Sequence, residues 1–467
     1  MRSLVDLDHV LDSGLADIRR QYQVPAAFPE AVVAAATEAA RRPLHGRTDL
    51  TGWPFVTLDP ATSTDLDQAF TIERVSGATH SADGDLLLHY AIADVGWFVG
   101  AGDALDAEAW SRGSTIYLPD GKAGLYPPVL AEGAASLLPD GPRPAVVFHV
   151  RLDPQGAATL AGAERALIHS RAKLAYDSVV AADLPTEFGE FARRVTAAED
   201  ARGAGNFEPP EQVVERDDGH YRLALRPRLA SEVDNAALSL ATNLAVAAAM
   251  QEAGVGLFRV MDPPDDRAVR RLRHTARALR LEWPADHPLE HFTRTLSGND
   301  PAAAAFLLAA RRAGGGAEYR PYTAGVVPWH SAMAAPYAHA TAPLRRLADR
   351  YVVQTVLAVA NGRAVPDEVA AALPLLPDTM SRADRLGNTI EREVIDLAEA
   401  VMLHGREGET FDAMVVDDDA DGTRIQLCEP PVKARVKAHG VHPGDEVRVK
   451  LVAADPAART VQFHRVG

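Results

Sequence analysis

Residues 55–69 read FVTLDPATSTDLDQA, and both the fold and the chemistry of this chain are read outward from them. Phe55 to Leu58 is a short apolar, β-favouring run that predicts a buried strand. Such a strand delivers Asp59 at its end. A polar loop then brings Asp65, Asp67 and Gln68 into the same small volume. Carboxylates gathered this closely repel one another, so the arrangement is costly unless a cation is present. Hard oxygen ligands suit Mg²⁺, with Mn²⁺ as the alternative, and Mg²⁺ commonly keeps waters and bridges to a substrate phosphate. The bland alternative is an Asp-rich loop capping a helix, since Asp and Ser are frequent turn residues.

On either side of this stretch the pattern divides the chain into three parts. Leu86 to Ile92 and Ala145 to Leu152 read as further buried strands, and from Ser231 through His404 the chain turns mostly helical. Residues 51–405 are therefore expected to form a large α+β catalytic domain. Residues 1–50 predict a short helical module. Val5 to Gln21 carries Val5, Val10, Leu11, Leu15 and Ile18 near helical spacing, and Pro29 with Glu30 opens a second helix to about Arg41. Two such helices could be a helix-turn-helix reader or, more simply, a clamp on the next domain. Residues 406–467 contain five short alternating runs: 411–416, 423–428, 432–437, 446–452 and 460–464. They are punctuated by Asp418 to Gly422, by Glu429-Pro430-Pro431 and by His442 to Asp445. This spacing predicts an OB-type barrel, a frequent binder of single-stranded nucleic acid. Lys433, Arg435 and Lys437 on one strand, facing Arg448 and Lys450, would track a phosphate backbone; a solvated strand face is the plainer account.

The 467 residues allow two to four domains, and 47% hydrophobic with 24% charged residues is ordinary for a globular protein. Met1 to Asp17 is interrupted by charge before any secretory segment could form, and no run of eighteen apolar residues occurs. A cytoplasmic, membrane-free monomer is expected. The single cysteine, Cys428, excludes an internal disulfide framework and is expected to be a small buried hydrophobe in a strand. A net charge of −16 argues against nucleic acid unless basic residues line a channel and acidic ones lie elsewhere or hold metal.

Several motifs settle that tension. Asp59, Asp65 and Asp67 fall on the first three acidic positions of a Thr-Ile-Asp-x-x-x-x-x-Asp-x-Asp-Asp-Ala signature, and other segments follow in matching order. These are His89 to Val95, Arg112 to Pro119, Leu125 to Pro128 with Ser136, Ser170 to Asp177, and His330 to Tyr337 running into Thr341-Ala-Pro-Leu-Arg345-Arg346. With these motifs, spread over roughly residues 50 to 400, the chain resembles the ribonuclease II (RNB) family. The resemblance implies a large RNB-type catalytic domain and a C-terminal OB/S1-like β-barrel. It implies hydrolysis of single-stranded RNA from the 3′ end to nucleoside 5′-monophosphates, at a site using one or two divalent ions. It places Asp59, Asp65, Asp67 and Gln68 on the metal and Arg345 on the scissile phosphate. Tyr176 would lie by the 3′-terminal nucleotide, Tyr117 and Phe207 would clamp bases, and Arg346 and Glu391 would lie along the RNA path. Thr341 is expected at a helix N-cap with Pro343 and both arginines in the first turn, where a bound phosphate would offset their clash with the macrodipole.

The chain departs from the family at three places. Gln68 stands at the fourth acidic position and supplies no charge. Counting from Pro227-Arg228 puts Ala236, beside Asp234 and Asn235, where the family has a glutamate that helps read the ribose 2′-OH. The fifty residues at the front leave no room for the cold-shock barrels of the larger members. Gln68 motivates one rival reading, a catalytically weak RNB-type RNA-binding protein. The bare Asp-x-Asp motivates another, a phosphohydrolase of the haloacid-dehalogenase type acting on small molecules. That second rival leaves the Arg345 segment and the terminal barrel unexplained.

Overall fold

The computed structural model describes residues 9–75, 84–204, 211–217, 220–226, 228–296, 300–419, 422–438 and 440–466. Its centre is a seven-stranded sheet in the order Thr48–Asp49, Ala158–Ile168, Arg143–Leu152, Leu86–Ala93, Gln68–Arg74, Val56–Asp59, Ala172–Ala175. The middle strands are antiparallel. The short outer pairings, Thr48–Asp49 on Ala158–Ile168 and Val56–Asp59 on Ala172–Ala175, are parallel. Phe55, Phe70, Tyr90 and Phe148 fill the sheet's core together with Leu238, Val246 and Val352 from two helices, Ala230–Glu252 and Leu347–Ala360. Alanine- and leucine-rich sequence makes the first of these a good helix former. At its start the Glu232 carboxylate accepts the Leu229 amide (2.8 Å), taking up one of the free N–H groups of the first turn. By length and composition this helix could cross a membrane, but over half of its most apolar window is buried in the protein.

A second core joins the chain's two ends. Helix Val10–Gln21 packs Leu11, Leu15 and Ile18 against the long helix Leu376–Leu403 and the C-terminal barrel. Gly14 permits the close approach, because a Cβ there would come within 2.5 Å of the Leu397 side chain. The second N-terminal helix, Glu30–Ala39, instead buries Val32, Ala36 and Ala39 in the sheet core. The two helices thus serve different cores rather than one reading head. The expected helix from Val5 begins at Val10, and residues before His9 lie outside the described set. A third, small core of Leu272, Phe292 and Phe306 holds three helices, Asp266–Ala278, Leu289–Arg294 and Pro301–Ala313. They lie between the paired strands Leu257–Val260 and Glu318–Pro321.

The barrel has the strand order Lys433–Val436, Gly422–Leu427, Thr410–Asp419, Glu446–Asp455, Thr460–Arg465, and its first and last strands approach each other. Alternation along Glu446–Asp455 sends Val447, Val449 and Leu451 inward. This order corrects the expectation that Lys433, Arg435 and Lys437 face Arg448 and Lys450. Lys433 and Arg435 lie opposite Gln426 and Arg424, Lys437 follows the strand, and two strands intervene before Arg448. Cys428 is also corrected. It sits just past the end of strand Gly422–Leu427 and is exposed, because the chain leaves the barrel wall there towards Glu429 and Pro430.

Candidate active site

The strand Val56–Asp59 ends with Asp59, and the loop after it returns Asp65 and Asp67 to the head of strand Gln68–Arg74. Gln68 is thus the first strand residue rather than part of a loop. Asp59, Asp65, Asp67 and Gln68 line one cavity of about 570 Å³ with Tyr117, Tyr176, Asn235, Arg345 and Arg346. Burial lifts the Asp59 carboxyl to about 7, with Asp65 adding to the effect and Arg345 and Lys173 opposing it. Burial likewise lifts Asp67 to about 7 against the pull of Arg345 and the Leu344 amide. Asp67 is 5% exposed; its Oδ1 accepts the Leu344 N–H at 2.7 Å and its Oδ2 lies 3.4 Å from Arg345 Nε. Asp65 is held differently, by Lys122 Nζ at 2.8 Å on Oδ1 and by the Tyr117 hydroxyl, which donates to Oδ2 at 3.2 Å. As they stand, no three His, Cys, Asp or Glu side chains among the described residues converge closely enough to hold a metal ion.

The donor chemistry nevertheless suits a hard divalent cation. The half-buried Asp59 and buried Asp67 are both raised by loss of solvent that Arg345 only partly offsets, and a bound cation would relieve that cost. Gln68 is committed at both ends: its Nε2 donates to the Thr341 carbonyl (2.6 Å) and its Oε1 accepts the Tyr90 hydroxyl (2.5 Å). Only the amide oxygen keeps a lone pair for a cation.

The segment Thr341–Arg346 is not the start of a helix. Helix Leu347–Ala360 begins after it, with Arg346 at the cap and not in the first turn, where the first-turn Asp349 offsets its charge. The cause is Asp349, fully buried, which accepts the Ala342 amide at 2.8 Å and takes Arg346 in a two-pronged pair at 2.9 and 2.7 Å. Arg346 is thereby used to brace the loop. The Arg345 carbonyl accepts the Thr115 amide (3.0 Å), leaving its guanidinium 45% exposed in the cavity.

Tyr176 lines the same cavity, and its hydroxyl accepts from Asn235 Nδ2 at 2.9 Å. Burial, reinforced by Asp59, pushes its phenol up to about 12, so it stays neutral. Tyr117 is 55% exposed at the mouth. Ala236 does line the cavity, but the polar groups beside it come from Asn235, Ser239 and Asn243. Sequence reasoning named Asn235 only as a neighbour of Ala236 and missed Ser239 and Asn243, although a spacing of four places the three on one helix face. Phe207 lies outside the described residues. Glu391 is exposed on helix Leu376–Leu403 and shares a shallow groove with Lys433, away from the carboxylates.

Comparison with known proteins agrees with this geometry. Residues 47–362 match the RNB domain, and residues 409–466 match the RNase II-type exonuclease C-terminal S1 domain. Ribonuclease R of Aquifex aeolicus is 26% identical over 96% of this chain and 70% of its own length. Exoribonuclease 2 of Enterobacter sp. is 27% identical over 87% of this chain and 65% of its own length. The chain thus spans about two thirds of these relatives. The structure of Mycoplasma genitalium RNase R in complex with ribose-methylated single-stranded RNA superposes with a TM-score of 0.85 at 20% identity. It covers 98% of this chain and 78% of the other, which shows a shared fold. With its RNB match extending over most of the sequence and its S1 match over the tail, the chain belongs to the RNB family of ribonucleases.

Proposed function

We propose that this protein is a divalent-metal-dependent exoribonuclease that shortens single-stranded RNA from its 3′ end and releases nucleoside 5′-monophosphates. The observation that carries this reading is the pairing of the half-buried Asp59 and the buried Asp67 with the Arg345 guanidinium in one cavity. Asp59, Asp65, Asp67 and the Gln68 amide oxygen would hold Mg²⁺ or Mn²⁺, which when bound supplies Lewis-acid stabilisation and a more acidic water. Arg345 presents its half-exposed guanidinium to the scissile phosphate and offsets the charge that builds up in the transition state. Tyr176, held by Asn235, flanks the terminal nucleotide, and the exposed ring of Tyr117 offers a sequence-tolerant stacking surface. Arg346 acts one step removed, by keeping Arg345 and the Leu344 amide in register with Asp67. Residues 51–405 form the catalytic unit. In the barrel at 406–467, Lys433, Arg435 and Lys437 contact the RNA backbone upstream.

A 5′-labelled oligoribonucleotide incubated with wild type and Asp67→Asn, first with Mg²⁺ and then with EDTA, tests this. Mg²⁺-dependent shortening from the 3′ end, lost in the variant while RNA binding survives, is the expected result. Intact RNA with retained binding would replace this reading with that of a catalytically weak RNA-binding protein.

A further inference from the structure

The three aspartates of the site are not equivalent, and the difference lies behind Asp65. Asp65 borders two cavities. One is the large cavity shared with Asp59 and Asp67; the other, of about 250 Å³, lies on its far side and is lined by Phe28, Arg112, Lys122 and Glu132. Lys122 borders only the second. Its Nζ sits 2.8 Å from Asp65 and 3.2 Å from Glu132, whose other oxygen accepts the Thr64 hydroxyl at 3.0 Å. The ammonium is therefore clamped between two carboxylates, from a direction that substrate in the main cavity does not need to use. A two-stranded hairpin, Ile116–Leu118 with Gly121–Ala123, puts Lys122 directly opposite Tyr117, so one element caps both oxygens of Asp65.

Charge around the carboxylates then points to a definite ion count. Asp59 makes no ion pair among the described residues, and Lys173, the other cation that acts on it, gives its Nζ to the Ala61 carbonyl (2.8 Å). Asp67 has the long contact to Arg345, and Asp65 has Lys122. The four carboxylates Asp59, Asp65, Asp67 and Glu132, with the two cations that touch them, leave two negative charges. One divalent cation neutralises these, whereas two would leave two positive charges in a partly buried cavity. The position beside Asp67 adds no charge, because Gln68 is neutral and its amide N–H is used by the Thr341 carbonyl, an acceptor that a carboxylate would face unfavourably.

We propose that Lys122 is a built-in counter-ion that offsets the charge Asp65 brings to the metal, so that Asp65 can lend an oxygen but the site, charge-balanced by Asp59 and Asp67, binds one divalent cation instead of two. This inference rests on the metal-site reading above. Lys122 is a positioning residue here, since it touches Asp65 and not substrate.

The test is titration of RNA-free, full-length protein with Mn²⁺, following free Mn²⁺ by its paramagnetic resonance signal. Wild type, Lys122→Met, Lys122→Arg and Asp67→Asn are compared. Wild type is expected to bind one ion that Asp67→Asn loses. Lys122→Met should bind a second ion or hold the first about tenfold tighter or more, since a contacting opposite charge shifts a carboxylate by on the order of one to three decades. Lys122→Arg, which keeps the charge, should follow wild type and shows that the hairpin remains in place. Two ions of similar affinity in wild type, or superimposable isotherms for wild type and Lys122→Met, would overturn the proposal while leaving the metal site standing. No Mn²⁺ bound by wild type, or a full isotherm in Asp67→Asn, would remove the metal-site reading and this proposal with it.

Discussion

Replacing Asp67 by Asn should stabilise the metal-free protein while abolishing its reaction. Asp67 is 5% exposed, and burial lifts its carboxyl from 3.8 to about 7 despite Arg345 and the Leu344 amide. Because the folded value lies above the unfolded one, the native state holds the proton more tightly between these two values. Metal-free wild type therefore loses stability as pH rises through that window, and the whole cost is present above about 7. A shift of about three units corresponds to roughly 4 kcal/mol. Asn keeps an acceptor for Leu344 but turns an amide towards Arg345, so about 2 kcal/mol of that gain should survive. The assay is chemical denaturation in EDTA, at about pH 8 and again at about pH 5. Tryptophan fluorescence reports on the right region, since Trp53, Trp97 and Trp110 all pack on the sheet core. Asp67→Asn should unfold later than wild type at the higher pH, with the gap closing at the lower. Adding Mg²⁺ at the higher pH should stabilise wild type alone, because only it retains the ligand. A variant less stable than wild type at the higher pH, or a gap independent of pH, would refute the claim that Asp67 is an undercompensated buried charge.

Three further outcomes are expected. Arg345→Ala should lower kcat by about 10²–10³ with little change in RNA affinity, read from single-turnover degradation and a binding titration, because its guanidinium acts on charge that develops in the transition state. Tyr117→Ala should weaken RNA binding by about 1–3 kcal/mol, the worth of one stacked base, with no preference among base sequences in fluorescence anisotropy. Glu399 is buried where helix Leu376–Leu403 meets the barrel; it accepts Lys433 N–H (2.8 Å) and Gln212 Nε2 (2.6 Å), and burial raises its carboxyl to about 7. Its folded value exceeds the unfolded one, so it costs stability as pH rises from about 4.5 to 7, up to roughly 3 kcal/mol. Glu399→Gln keeps the acceptor oxygen and should flatten that part of the melting-temperature profile.

The gathering of Asp59, Asp65 and Asp67 on one cavity was legible from a strand and the loop after it, whereas the chemistry read from them came from the resemblance to the RNB family. The five barrel strands were legible because alternation of buried and exposed residues is a local signal. Strand order is not local, and so the supposed facing of Lys433 and Arg448 failed: adjacency in a closed sheet depends on connections that no single strand encodes. The helix start at Thr341 failed for a similar reason. Asx, Ser and Thr capping rules weigh neighbours in sequence, whereas Asp67, Thr115 and Asp349 capture the backbone and side chains of that loop from outside it. Lys122 carried no signal at all, since a lysine in a hairpin is ordinarily solvated. Asn235, Ser239 and Asn243 did carry one, a polar row on an apolar helix.

The adjacent arginines show how one carboxylate divides labour at the site. Arg345 and Arg346 are chemically identical and follow each other in the chain, yet Arg346 is held in a two-pronged pair while Arg345 keeps only a 3.4 Å contact to Asp67. Asp349 is completely buried, so its charge must be met, and Arg346 meets it with two hydrogen bonds in planar register. The same carboxylate takes the Ala342 amide, which fixes the chain direction through Pro343 and sets the Leu344 N–H on Asp67. The Arg345 carbonyl is tied to Thr115 and its guanidinium is left half-exposed in the cavity, 3.4 Å from Asp67. Which arginine is left in the cavity unbraced is decided by what the other one is bonded to. A Lys at position 346 would keep the charge but lose the second prong, and the loop that aims Arg345 would loosen with it.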